Sequence, residues 1–135
     1  DIGIIIEKPE LLPYLSGLEN LKLLAEIRNI ISYDDIKHYM DKFGLNFNSK
    51  QIVKKYSLGM KQKLGIIQAI MEDPSLLLLD EPFNALDAES VDILRSILLQ
   101  YKEQGKLIIL TSHHQEDIMS VCNQVIHLQD GCILN

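Results

Sequence analysis

At 135 residues, 47% hydrophobic and 24% charged, the chain has the size and balance of one globular domain able to bury a sizeable core. A net charge of -6 excludes a general electrostatic grip on nucleic acid, which needs clustered Lys and Arg. The aliphatic runs fall far short of the roughly 20 residues that span a bilayer.

Two cysteines, Cys122 and Cys132, occur without metal-ligand spacing and read as reduced thiols of a cytosolic protein. Asp1 opens directly onto apolar residues, without the basic, apolar and small-residue order of a signal peptide. That abrupt start reads as a chain that begins inside a larger protein.

In chain order, Ile2 to Ile6 read as a β-strand ended by Glu7, Lys8 and Pro9. Pro9 and Pro13 bracket a loop, and Ser16-Gly17 leads into a helix. Its Leu18, Leu21, Leu24, Ile27 and Ile31 recur at three- and four-residue spacing, as one apolar face. Asp34 and Asp35 open a second helix, with Ile36, Tyr39, Met40 and Phe43 inward and Gly44 as its stop. Ser57 is the N-cap of a third, whose apolar face includes Leu64, Ile67, Ile70 and Met71. Residues 8–72 thus form a mainly helical subdomain, between a core strand at 1–7 and a differently patterned segment at 73–135.

In that last segment Leu76 to Leu79, followed by Asp80, Glu81 and Pro82, read as a strand buried on both faces of a parallel sheet. A helix runs from about Ala88 to Gln104, with Val91, Leu94, Ile97, Leu98 and Tyr101 on one side and Gly105 at its end. Leu107 to Leu110 form a second buried strand, followed by a helix near Gln115 to Val121. A third strand, Gln124 to Leu128, turns through Asp130-Gly131 into Cys132 to Leu134. Strand, helix, strand, helix, strand predicts an α/β fold with a parallel sheet and right-handed crossovers.

Ligand chemistry in such sheets gathers outside the carboxyl ends of the strands. Asp80 and Glu81 therefore stand where a metal-bound phosphate chain is handled. The plain alternative is a buried strand whose acidic pair starts a helix. Ser57 and Gly59, within the basic run Lys50 to Lys63, put a hydroxyl and free N–H groups at a helix N-terminus, a ready anion site. Taken alone, that segment is equally a capped helix and nothing more.

Read together, these segments make the chain similar to the nucleotide-binding subunit of ABC transporters. The family's Leu-Ser-Gly-Gly-Gln signature aligns with Tyr56 to Met60, and its aliphatic run ending in Asp-Glu-Pro with Leu76 to Pro82. The loop ending in Leu-Asp aligns with Asn84-Ala85-Leu86-Asp87, and the switch histidine with His113 in Thr111-Ser112-His113. Upstream, Ile2 to Pro9 and Leu18-Glu19-Asn20-Leu21 match the strand and helix start around the family's glutamine loop. The resemblance covers essentially the whole chain. It implies a partial P-loop NTPase (RecA-like) parallel sheet carrying an α-helical ABC subdomain.

The resemblance also implies roles. Asp80 would hold the Mg²⁺ of Mg-ATP through a water, Glu81 would orient and deprotonate the attacking water, and His113 would bond the γ-phosphate. Ser57 and Gly59 would bind ATP held by a second nucleotide-binding subunit, with Asp87 at the dimer seam. For Asp87, a charge ending a turn is otherwise solvated or caps the next helix. His114 reads as a bystander.

Glu7 stands where the family has glutamine, and Leu58 and Met60 where it has Gly and Gln. This combination resembles the bacitracin- or lantibiotic-type exporter branch. The implied subunit sits at the cytoplasmic face of the membrane, on a separate transmembrane permease, and does not engage nucleic acid. A soluble ABC ATPase of translation or DNA repair, and a non-catalytic helical interaction module, are the alternatives.

No GxxxxGK[ST] occurs in the sequence. The resemblance implies that this phosphate loop belongs N-terminal to Ile2, on a strand lying between those of Leu107–Leu110 and Gln124–Leu128. Without that strand, unpaired edges and an exposed apolar layer are expected, and with them self-association, swapping or rearrangement of the C-terminal strand.

Overall fold

A computed structural model describes residues 1–134. Three strands, β1 (Ile2–Ile5), β2 (Leu76–Asp80) and β3 (Leu107–Thr111), form a parallel sheet in the order β1-β2-β3. Ile2 stands opposite Leu76, and Leu76 opposite Leu107, so all three strands end at the same edge of the sheet. Parallel neighbours need long crossovers, and helices supply them. Between β1 and β2 lie α1 (Gly17–Arg28), α2 (Tyr33–Lys42), a 3₁₀ turn at Val53–Lys55 and α3 (Leu58–Ile70). Between β2 and β3 lies α4 (Ala88–Glu103), and α5 (Gln115–Val121) follows β3. The α/β class with a parallel sheet is as expected.

The helix ends follow their capping chemistry. Ser16 and Ser32 each close a capping box, with Glu19 and Asp35 respectively. The second helix therefore begins at Tyr33, just before the acidic pair thought to open it. Asn29, in the left-handed conformation, stops α1, so Ile31 falls outside the helix. Nor is Ile27 part of the inward face: it is 75% exposed, and Leu21 and Ala25 are buried beside Asn20. Of the expected inward residues of the other helices, Ile36, Met40 and Phe43 in and beside α2, Leu64, Ile67, Ile70 and Met71 in and beside α3, and Leu94, Ile97, Leu98 and Tyr101 in α4 are buried, while Tyr39 and Val91 are half-buried. Each such aliphatic side chain contributes about 1.5–3 kcal/mol of burial.

The core lies on one face of the sheet. Gly3, Leu77 and Ile108 form one cross-strand row there, and Ile5, Leu79 and Leu110 the next. α3 packs on β1 and α4 on β3. The approach of α3 is so close that a Cβ on Gly3 would collide with the Ala69 carbonyl oxygen. On the other face Ile2, Ile4, Leu107 and Ile109 are exposed, and Leu76 and Leu78 only half-buried. The reading of β2 as buried on both faces is thus corrected: among the described residues, helices cover one face.

A second correction concerns the C-terminus. The expected strand Gln124–Leu128 is replaced by β4 (His127–Gln129), with Val125 and Ile126 outside any strand. It pairs antiparallel with β5 (Cys132–Leu134) across the Asp130-Gly131 turn and does not join the parallel sheet. Both turn residues have positive φ, the geometry that lets a two-residue hairpin close locally. Local pairing has therefore taken the place of a long-range strand.

Candidate functional site

Because β1, β2 and β3 run in parallel, their carboxyl ends bring Glu7, Asp80, Glu81 and His113 to one end of the sheet. Asp80 is the last residue of β2 and pairs in register with Thr111, the last of β3. The Thr111 hydroxyl donates to Asp80 Oδ1 at 2.6 Å, leaving the second carboxylate oxygen open. The same Thr111 oxygen accepts from the Glu81 backbone N–H at 3.1 Å, and the Thr111 carbonyl accepts from that N–H at 3.2 Å.

Glu81 leaves the strand in a left-handed conformation, φ 49. A residue with a Cβ pays about 1–3 kcal/mol for this, so surrounding bonds must hold it. The effect is to turn the Glu81 side chain out of the strand alternation. Its carboxylate is nearly buried (11% exposed) and lies 3.2 Å from His113 Nε2, whose ring is almost fully exposed (93%). A shielded carboxylate against an open imidazole can steer a water on one side and meet an anionic ligand on the other. His114, in contrast, uses its backbone N–H on Ser112 Oγ at the start of α5.

Glu7 is exposed on the bend after β1. Asp80 is exposed as well, and its open oxygen can accept from a water on a magnesium ion. Among the described residues no three His, Cys, Asp or Glu side chains form an ion cage. The donor set fits an ion that Asp80 would reach through a water and that phosphate would otherwise hold.

Ser57 and Gly59 open α3 at a distance in sequence from this cluster. Ser57 Oγ accepts from the Met60 N–H at 3.1 Å, and no acidic residue stands in the first turn. The remaining first-turn N–H groups have no helical acceptor by geometry. Gly59 has a packing reason as well: a Cβ there would approach the Ala85 carbonyl oxygen to 2.8 Å. Asp87 is the N-cap of α4, bonding Ser90, and forms an ion pair with Lys63 at 2.9 Å. Lys63, then Ser90, hold its carboxyl well below the usual carboxylate range. The helix-capping use that the sequence left open for Asp87 is present.

Two residues of this region received no role from the sequence. Thr111 ties Asp80 to Glu81, as just described. Gln62 is buried on α3 and donates to the carbonyls of Pro82 at 2.9 Å and Glu81 at 3.4 Å. Its signal was legible: a polar side chain four residues before Ile66, where helical spacing calls for an apolar one.

The fold is that of the ABC ATPases. A solved structure of an ATP binding subunit of an ABC transporter matches 97% of this chain and 56% of its own, with TM-score 0.85 and 27% identity. A dimeric bacterial ABC transporter cassette matches with TM-score 0.84 at 22% identity, over 99% of this chain and 61% of its own. The ABC transporter family model matches residues 1–84, and the chain belongs to that family.

Among curated relatives, an uncharacterised ABC transporter ATP-binding protein of Bacillus subtilis (strain 168), YybJ, is 50% identical over 96% of this chain and 60% of itself. The bacitracin transport ATP-binding protein BcrA of Enterococcus faecalis is 37% identical over 96% of this chain and 42% of itself. The lantibiotic transport ATP-binding protein SrtF of Streptococcus pyogenes is 36% identical over 98% of this chain and 58% of itself. The chain therefore spans 42% to 60% of the length of these relatives.

Proposed function

We propose that this chain carries the signature helix and the catalytic strand ends of an ATPase subunit that powers export across a membrane. The observation that carries the reading is the 3.2 Å approach of His113 to Glu81, next to Asp80 at the carboxyl end of a parallel sheet. The names of BcrA and SrtF, which refer to bacitracin and lantibiotic transport, favour the exporter branch.

In this reading the Glu81 carboxylate accepts the proton of the attacking water as that water bonds to the γ-phosphorus of ATP, and ADP leaves with the bridging oxygen. His113 holds a γ-phosphate oxygen and keeps water and carboxylate in line, so that positioning lowers the barrier. Asp80, oriented by Thr111, would hold Mg²⁺ through a water, and that ion would supply charge neutralisation for the phosphates. Glu7 reaches the same end of the sheet and can hold a water there.

Ser57 and the first-turn N–H groups of α3 bind the γ-phosphate of ATP held by an opposing subunit, and Gly59 keeps that approach open. Asp87 lies at the seam between the two subunits. Residues 1–7 and 73–135 belong to the catalytic core and 8–72 to the helical subdomain. Residues 7–20, the loop and the start of α1, and that subdomain dock on a transmembrane permease at the cytoplasmic face. Among the described residues no helix is long and apolar enough to cross a membrane itself.

Hydrolysis is assigned to the full-length protein, because tight ATP binding needs a backbone cradle around the β-phosphate and these 135 residues hold no GxxxxGK[ST]. The test is Glu81→Gln in that protein. Nucleotide binding is retained and turnover falls by about 10²–10⁴-fold, the usual share of a general base. Undiminished hydrolysis removes Glu81 from the mechanism.

A further inference from the structure

We infer that Gln62 is a positioning residue for Glu81, its buried side-chain amide clamping the turn from which the carboxylate projects. The inference rests on the reading of Glu81 as the residue that steers the attacking water.

The argument starts from the turn itself. Glu81 and Ala85 both adopt left-handed backbone, which is unfavourable for residues with a Cβ and does not hold itself in place. On the N-terminal side of Glu81, Thr111 takes up the backbone N–H. On the other side stand two successive carbonyls, those of Glu81 and Pro82. Gln62 Nε2 reaches both, at 3.4 and 2.9 Å, with the two N–H donors that a primary amide carries. Gln62 is buried, so little water is at hand to replace it.

The clamp is part of a larger grip. Positions 59, 62 and 63 share one face of α3, by the three- and four-residue spacing of a helix. Gly59 receives the Ala85 carbonyl, Gln62 the carbonyls of Glu81 and Pro82, and Lys63 the Asp87 carboxylate. One helical face thus holds the turn from 81 to 87 along its length. That helix begins at Ser57, so a shift of α3 moves the backbone that aims Glu81.

The test compares Gln62→Met, of similar size but without a donor, with Gln62→His, whose ring N–H has a similar reach. Both are made in the full-length protein beside Glu81→Gln. A misaimed carboxylate costs rate and spares ground-state binding. Gln62→Met is expected to lower kcat about tenfold to a hundredfold, with KM for ATP within about twofold and nucleotide binding intact. Gln62→His, with one ring N–H for the two carbonyls, restores part of the loss.

Wild-type kcat in a folded Gln62→Met, a loss confined to KM, or a Gln62→His as slow as Gln62→Met each overturns the clamp. Loss of folding in both variants assigns Gln62 to stability and overturns it as well. Undiminished turnover in Glu81→Gln sinks the parent reading and this inference with it. An inactive Glu81→Gln beside an unaffected Gln62→Met sinks this inference alone.

Discussion

The same three strands present two different faces. One carries Gly3, Ile5, Leu77 and Leu79, buried against α3 and α4. The other carries Ile2, Ile4, Leu107 and Ile109, each more than half exposed, although these side chains are no less apolar. Composition is therefore not what separates the faces. A strand's apolar run says how much surface is available for burial, and the helices decide which half is used. The site follows from the buried half. The parallel register of β2 and β3 sets Asp80 beside Thr111, and just past the strand ends Glu81 meets His113.

The sharpest way to break this comparison is to truncate one side chain on each face. Leu77→Ala opens a cavity in a fully buried position and is expected to cost about 2–5 kcal/mol. Ile4→Ala removes surface that water already reaches and should stay within about 0.5 kcal/mol. Urea unfolding of the two variants measures both. Equal shifts in midpoint would show that the second face is packed in solution.

A smaller effect is expected in association. A contiguous apolar face beside the open edge of β3 favours pairing of the 135-residue chain with itself. Ile4→Lys and Ile109→Lys, which place charges on either side of Leu78, should shift light scattering toward monomer without lowering the unfolding midpoint. A clean monomer for the unsubstituted chain at high concentration would count against this.

Where sequence and structure agree, the information was local. Ser57 and Ser16 announce helix starts, and the aliphatic positions of α2, α3 and α4 announce their inward faces. Glu81 was legible as a candidate because strand ends are where parallel sheets gather ligands, and His113 only through the family resemblance; their approach links the ends of two paired strands. The failures are those of non-local competition. Nothing in Gln124 to Leu128 says that a tight Asp130-Gly131 turn will win its pairing from the sheet. Ile27 continues the α1 period yet is solvated, because burial on a short helix depends on which neighbour covers it. Thr111 escaped notice because its partners are a backbone N–H and an adjacent strand end, and Gln62 did so although its polar side chain breaks the apolar spacing of α3.

The finest contrast concerns one hydroxyl on the covered side. Tyr101 of α4 donates to the Ile70 carbonyl at 3.1 Å, at the end of α3, and so ties the two helices that cover the sheet. Burial, then the neighbouring Tyr39 and Asp73, push its phenol well above the ordinary tyrosine range. The folded state therefore keeps a proton that the unfolded chain releases near pH 10. This stabilisation is complete below about pH 10 and declines as pH rises beyond it, since the unfolded state then binds fewer protons. Tyr101→Phe removes the bond and should cost about 1 kcal/mol at neutral pH. It should also flatten the fall in stability above about pH 10, leaving the parts due to Tyr39 and Tyr56, whose phenols burial raises too, and to Tyr33, raised by its bond to Glu26. Denaturant unfolding from pH 7 to 11 measures both quantities. If the variant keeps the full alkaline slope, the phenol of Tyr101 does not bridge α3 and α4.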